Sequence, residues 1–152
     1  MKRSALGKGN RYMNIEHVTT KQQLEDAYSV RKKVFVEEQN VSIEEEMDEF
    51  DEVATHFAGY AEGAPVSASR LRFVEEYAKL ERICILKTFR GEGYGKQMIL
   101  HMEEYAKEKG YKKSKLNAQI QALGFYESLG YKVVSEEFMD AGIPHVTMIK
   151  EL

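Results

Sequence analysis

Between an apolar run over residues 80–86 and a long amphipathic segment, the chain places Arg90-Gly91-Glu92-Gly93-Tyr94-Gly95-Lys96. That is the sequence form of a strand, a tight turn and a helix N-terminus. Glycines at alternate positions permit dihedrals that other residues avoid, and they let a ligand approach the backbone N–H groups because no Cβ intervenes. The first turn of the following helix has donors without intrahelical partners and lies at the positive end of its dipole. Such a turn is a phosphate cradle. In its plainer reading it is a glycine-rich connector from strand to helix.

Two familiar phosphate loops fail at this stretch. A P-loop needs a glycine five residues before its Gly-Lys pair and Ser or Thr after it, and Arg90 and Gln97 stand in those places. A dinucleotide fingerprint begun at Gly91 needs its third glycine at Lys96, and one begun at Gly93 needs it at Met98. The 152 residues suffice for one domain with a real core and are too few for two ordinary ones. A net charge of −3 provides no global attraction to nucleic acid or to an anionic membrane, so neither is expected as a partner. Cys84 is the sole cysteine and cannot make an internal disulfide, and no apolar run approaches the roughly 20 residues of a membrane helix. A cytoplasmic setting follows as the expectation. Residues 1–12 carry Lys2, Arg3, Lys8 and Arg11 without the apolar centre of a signal peptide. They read as a disordered extension, with an expression scar or an early start before Met13 as its origin, and residues 13–152 as the single domain.

Taken in order, residues 12–18 alternate as a first strand, and Thr19-Thr20 can cap a helix carrying Leu24, Ala27, Tyr28, Val30, Arg31, Val34 and Phe35 and ending near Val36. The acidic run over residues 44–52 suits a short helix or loop with Met47 and Phe50 tucked inward. It is either a solvated face or a negative rim that attracts a cationic amine. It is no EF-hand, since Asp48 and Asp51 lack the loop glycine and the ligand spacing. Residues 55–60 and 64–73, parted by Glu62-Gly63, read as a hairpin, and residues 80–86 as the next strand of an antiparallel meander. Met98, Ile99, Met102, Tyr105 and Ala106 mark one face of the helix after the glycine loop, and Gly110 ends it. Residues 115–118 read as a strand and 119–129 as a helix. The crossover makes the strands of Leu80 and Leu116 parallel neighbours. Residues 133–139 and 143–149, joined by Asp140-Ala141-Gly142, form a last hairpin. The expected fold class is α/β (α+β), a mixed, mostly antiparallel sheet with helices on both faces.

Arg-x-x-Gly-x-Gly, at Arg90, Gly93 and Gly95, resembles the acetyl-CoA pyrophosphate loop of the GNAT superfamily of N-acetyltransferases. Ala122 followed by Phe125-Tyr126, Gly130 and Tyr131 resembles that superfamily's second signature. The pattern of Arg31, Val34, Phe35, Glu38 and Gln39, with Gly142-Ile143-Pro144-His145 near the end, is similar to a bacterial ElaA-like subgroup. The resemblance spans about residues 13–152. It implies acetyl-CoA as acyl donor, no metal, and a pyrophosphate held by the backbone of Gly91, Gly93, Tyr94, Gly95 and Lys96 with Arg90 bracing the loop. It also implies that Ile83, Cys84 and Ile85 pair with the pantetheine arm where the fourth and fifth strands splay, and that Tyr126 stands near the CoA sulfur. Many members place an asparagine in a longer loop after the fifth strand. Here Asn117-Ala118-Gln119 is compact, which leaves Asn117 and Gln119 as weak substitutes.

Acetyl transfer to an amine needs a neutral nucleophile, hence a base or a water chain to one. Glu81 is the first candidate, at the start of the strand lining the cleft and expected to point opposite to Arg82; a plain ion pair is its alternative. His145 is the second, because imidazoles ordinarily titrate near neutrality. Its alternative is a structural histidine. Tyr126 can protonate the leaving thiolate or can be a core aromatic. A backbone N–H near Ile83 to Ile85 can hold the oxyanion. Cys84, between two isoleucines, reads as an inert thiol rather than a nucleophile. Arg31, Glu38, Asp51, His56, Arg70 and Arg72 are candidates for a pocket that takes a primary amine of a small molecule or peptide. A homodimer stays open. The competing reading is a non-catalytic acyl-CoA-binding or regulatory domain on the same fold.

Overall fold

The computed structural model describes residues 12–152, so the extension expected over residues 1–12 lies outside the described residues except for Tyr12, which is exposed ahead of the first strand. β1 (Asn14–His17) leads to Thr20, whose hydroxyl accepts from the Gln23 N–H while the Gln23 side chain accepts from the Thr20 N–H. This capping box starts α1 (Lys21–Arg31). The chain then runs on as a wider π-helical stretch, Lys32–Glu38, which carries the helical spacing past the expected end. Ser42 caps α2 (Ile43–Glu46), and Asp48 caps a 3-10 turn (Glu49–Glu52).

β2 (Thr55–Ala61), β3 (Ala64–Val74) and β4 (Tyr77–Ile85) form the expected meander. Glu62 and Gly63 both take positive φ, 57° and 81°, the twist that a two-residue hairpin turn requires. After α3 (Tyr94–Glu108) come β5 (Lys113–Gln119), α4 (Leu123–Ser128), β6 (Lys132–Val133), β7 (Phe138–Asp140) and β8 (Ile143–Glu151). The sheet order is β1-β2-β3-β4-β5-β8-β6 with β7 also on β8. β4 and β5 are parallel with Leu80 opposite Leu116, as the crossover argument requires. Two expectations need correction. The helix expected over 119–129 starts one residue later, because Gln119 pairs with His145 and stays in the sheet, and it runs as a 3-10 turn (Ile120–Ala122) before α4. The strand expected over 133–139 breaks because the Thr147 N–H donates to the Ser135 hydroxyl, 2.8 Å, interrupting the ladder.

Helices cover both faces. On one, Met98, Ile99, Met102 and Ala106 of α3 are wholly buried against Leu71, Ala78, Leu80, Leu116 and Met148. Each large side chain so buried contributes about 1.5–3 kcal/mol. On the other face, Ala27, Val30 and Val34 pack on Ala58, Ala68 and Cys84, so the first helix lies over β2, β3 and the end of β4. Past that edge the cleft begins. Among the described residues no helix is long and apolar enough to cross a membrane.

Candidate active site

β4 and β5 are paired from Ala78 and Ser114 to Leu80 and Leu116, and then part. The wedge between them opens into a cavity of about 910 Å3. β4 bends where the β3–β4 register slips between Ala68 and Arg70 and Arg82 takes φ 56°, a β-bulge. Beyond the bulge, Cys84 and Ile85 remain paired with Ala68 and Ser67 of β3. The other edge of residues 83–85 has no strand partner among the described residues and offers backbone donors and acceptors to an extended ligand. The bulge also corrects the expectation for Glu81 and Arg82. The two do not diverge to opposite faces, because the left-handed backbone at Arg82 returns its side chain to the cavity that Glu81 lines.

At one end of the cavity stands the glycine loop. Gly91 and Gly93 both have φ 84°, and Gly93 is the N-cap of α3, leaving no side chain between the cavity and the first-turn N–H groups. A Cβ on Gly95 would lie 3.3 Å from the Phe125 ring, so the missing side chain lets α4 close on α3. Tyr94 is buried, with its ring stacked on Phe89, so it can present only its backbone to the cavity. Lys96 lines the cavity. Arg90 donates from Nε to the Ile85 carbonyl, 2.9 Å, and from both terminal nitrogens to Glu38, 2.7 and 2.8 Å. It ties the end of β4 to the end of the π-helical stretch and so braces the loop. The Arg90 hydrogen bond holds the Glu38 carboxyl below its ordinary range.

The other end is built from side chains. Arg31, wholly buried, donates to Glu46 at 2.9 Å and to Asp51 at 2.8 Å. Arg70, 2 % exposed, donates to Asp48 at 2.7 Å, Asp51 at 2.8 Å and Glu81 at 2.8 Å. Arg82 reaches Glu46 and Asp48, both at 3.2 Å. Glu81 also accepts from Arg72, 2.9 and 3.0 Å, and lies 3.1 Å from the Lys79 ammonium. Burial alone would raise the Glu81 pKa, but the Arg72 hydrogen bonds and the charges of Arg70 and Lys79 outweigh it and hold the carboxyl at about 2. Asp51 is likewise held at about 2, burial being outweighed by hydrogen bonds from Arg31 and Arg70. At Glu46 burial prevails and raises the pKa. The acidic run is divided: Glu46, Asp48 and Asp51 are taken up by arginines, whereas Glu44, Glu45, Glu49 and Glu52 stay exposed, Glu44 and Glu45 at the cavity. Phe50 is not tucked inward; its ring lies under the Arg72 guanidinium at 3.9 Å.

Between the two ends, Tyr126 and His145 line the cavity. The Tyr126 ring meets Phe125 and Tyr131 edge-on, and burial pushes its phenol up to about 12. His145 Nδ1 lies 2.7 Å from the Ile143 carbonyl. A carbonyl only accepts, so Nδ1 carries the hydrogen and neutral His145 has its lone pair at Nε2. Asn117 lines the cavity too, with its Oδ1 accepting from Thr147, 2.9 Å. Burial pushes the Cys84 thiol up to about 12, in keeping with an inert thiol. Of the six residues expected at the acceptor pocket, Arg70 and Arg72 line the cavity. Glu38 is on the loop brace, and Arg31, Asp51 and His56 stand behind the wall, where His56 Nε2 donates to the Asp51 carbonyl, 2.8 Å. Lys79, Arg82, Glu46, Asp48 and Phe50 were missed. A signal was present in the alternation of Arg70 with Arg72 and of Lys79 with Glu81, which puts four charges on one face of two adjoining strands.

A model of the acetyltransferase (GNAT) domain matches residues 16–152. The uncharacterized protein YyaT of Bacillus subtilis is 50% identical over 143 residues, 92% of this chain and 97% of its own. A crystal structure of a candidate N-acetyltransferase from Lactobacillus plantarum superposes with a TM-score of 0.86 at 30% identity, over 92% of this chain and 98% of its own. Escherichia coli ElaA superposes with a TM-score of 0.79 at 26% identity, over 93% and 99%. A Bacillus subtilis acetyltransferase crystallised with CoA shares the fold, with a TM-score of 0.70 at 18% identity over 93% and 99%.

Proposed function

Since the chain belongs to the GNAT acetyltransferase family, we propose that it transfers the acetyl group of acetyl-CoA to a primary amine by direct attack in a ternary complex. The observation that carries this reading is the cleft itself. An open backbone edge at residues 83–85 runs toward a glycine-capped helix N-terminus, and Tyr126 and His145 stand on its walls. The extended edge suits a pantetheine arm with its amide groups, and the first-turn N–H groups of α3 suit a pyrophosphate.

In this reading His145 Nε2 takes the proton that the amine loses as its nitrogen bonds to the thioester carbon. A backbone N–H near Ile83 to Ile85 holds the oxyanion, and the Tyr126 hydroxyl gives its proton to the sulfur as the C–S bond breaks. Burial keeps that phenol protonated at neutral pH. The base is assigned to His145 over Glu81 because a carboxylate held at about 2 by three cations has little affinity for a proton at neutral pH.

The test joins binding to turnover. Calorimetry with acetyl-CoA is expected to show binding that Gly93→Glu weakens roughly 100-fold or more, since a carboxylate would enter the phosphate position. Gly93→Ala serves as the control for the left-handed φ, a strain of about 1–2 kcal/mol. Acetyl-CoA and a mixed amine panel are expected to release CoA thiol. Binding without release from any amine would leave the acyl-CoA-binding domain as the better reading.

A further inference from the structure

We propose that the acetyl acceptor carries an anionic group as well as its amine, a carboxylate or a phosphate, and that Arg72 and Lys79 hold it at the β3–β4 end of the cleft. The proposal rests on the acetyltransferase reading above. Arg72 and Lys79 are register partners on antiparallel strands, and Lys79 in turn faces Lys115 on β5. Like charges placed directly across a sheet repel, so a row of three cations is costly unless something negative lies against it.

The protein supplies less than the row needs. Among the described residues, Glu81 is the only carboxylate in ion-pair contact with Arg72 and Lys79, and Arg70 claims it as well. The Lys115 ammonium lies over the Tyr77 ring, 5.0 Å, instead of on a carboxylate. One of the two terminal nitrogens of Arg72 is bonded to Glu81, and the other has no acceptor among the described residues. Lys79 uses one ammonium contact of a possible three. Both side chains line the cavity and are partly exposed, 17% and 22%. Phe50 holds the Arg72 plane from below, leaving the Nη1 edge of the guanidinium clear to meet a carboxylate or a phosphate. Glu44 and Glu45 of α2 line the same cavity and suit the ammonium form in which such an acceptor arrives. An amine with an acid group meets both signs of charge; a plain polyamine leaves the cation row uncompensated.

The experiment measures CoA-thiol release by the full chain with matched acceptors at saturating acetyl-CoA: lysine against lysinamide, β-alanine against β-alaninamide, phosphoethanolamine against ethanolamine. The charged member of a pair is expected to lead in kcat/KM by roughly 10- to 100-fold. That lead should fall to about threefold or less in Arg72→Gln and in Lys79→Gln, with acetyl-CoA affinity unchanged. Comparison of the carboxylate and phosphate pairs identifies the anion. Equal rates within every pair, or a lead that both variants retain, would overturn the proposal. If no acceptor turns over, N-acetyl-β-alanine and inorganic phosphate are titrated into the CoA-saturated protein: binding lost in Arg72→Gln supports the anion site, and no binding to the wild type overturns it. Failure of the underlying reading looks different: acetyl-CoA does not bind, or it binds and no amine of any kind releases thiol, while the anion titration still reads the Arg72 and Lys79 site by itself.

Discussion

At the end proposed for the cofactor the cleft is made of backbone: an unpaired strand edge at residues 83–85, two left-handed glycines and a helix N-terminus, braced by an exposed arginine. At the end proposed for the acceptor it is made of side chains. Arg31, Arg70, Arg72, Lys79 and Arg82 interlock with Glu46, Asp48, Asp51 and Glu81. Backbone donors recognise what all acyl-CoA molecules share and depend on few residue identities. A side-chain lattice recognises something particular, and its buried arginines, Arg31 and Arg70, depend on charges supplied from distant parts of the chain. The two ends should therefore fail separately and in different currencies, affinity for the donor at one and stability with acceptor choice at the other.

The largest effect expected is on stability. Asp51→Ala leaves Arg31 and Arg70, both almost wholly buried, short of a shared counter-charge, and should cost about 3–5 kcal/mol in denaturant unfolding. In the fraction that stays folded, acetyl-CoA affinity should be unaltered; a parallel loss of affinity would break the separation of the two ends. The wild type carries the same dependence in its acid limb. Asp51 and Glu81 have folded pKa values depressed to about 2, so their stabilisation is complete above the ordinary carboxylate range, about 4, and is lost as pH falls from about 5 toward 2. Glu46, raised by burial, acts in the opposite sense and offsets part of that loss. Urea unfolding at stepped pH should show a steep acid limb in the wild type and a shallower one in Asp51→Ala.

Next in size is the junction between the ends. Tyr126→Phe keeps the ring and its packing on Phe125 and Tyr131 and removes only the hydroxyl. Single-turnover measurements should show the chemical step slowed roughly 100-fold with acetyl-CoA affinity unchanged, and a step within about twofold of wild type would take Tyr126 out of the mechanism. His145→Gln should lose rate most near neutral pH and recover part of it at high pH, where the amine is already deprotonated. A deficit constant across pH would return the base to water or to another group.

The smallest expected effect sharpens the contrast from the cofactor side. Glu38→Gln removes the charge from the Arg90 brace, in which both side chains are well exposed, and should cost under about 1 kcal/mol of stability. Calorimetry should find acetyl-CoA affinity within a few fold of wild type, since Arg90 keeps its bond to the Ile85 carbonyl. If this exposed bridge costs as much as Asp51→Ala, burial is not what separates the two ends.

Local chemistry made the glycine turn, the start of α3 and most of the sheet readable from the sequence. The glycines of residues 91–95, the turn pairs Glu62-Gly63 and Ala141-Gly142 and the apolar face of α3 act over a few residues, and each is where its spacing places it. Leu80 against Leu116 followed from a crossover rule that needs only element order. The acceptor end was not readable, because its partners are far apart in the chain: Arg31 meets Asp51, Arg70 meets Asp48, and Arg82 meets Glu46 across 36 residues. Glu46, Asp48 and Asp51 look solvated until the fold brings arginines from α1, β3 and β4 against them. The left-handed Arg82 had no glycine to announce it, and the bulge there decides which face both Glu81 and Arg82 take. Short-range periodicity and turn chemistry thus determined the elements, the parallel pair and the glycine turn ahead of α3. Only the tertiary structure decided which charges neutralise one another and which of the cations facing the cleft keep a donor to spare, because desolvation and long-range pairing, not residue type, set the character of a buried charge.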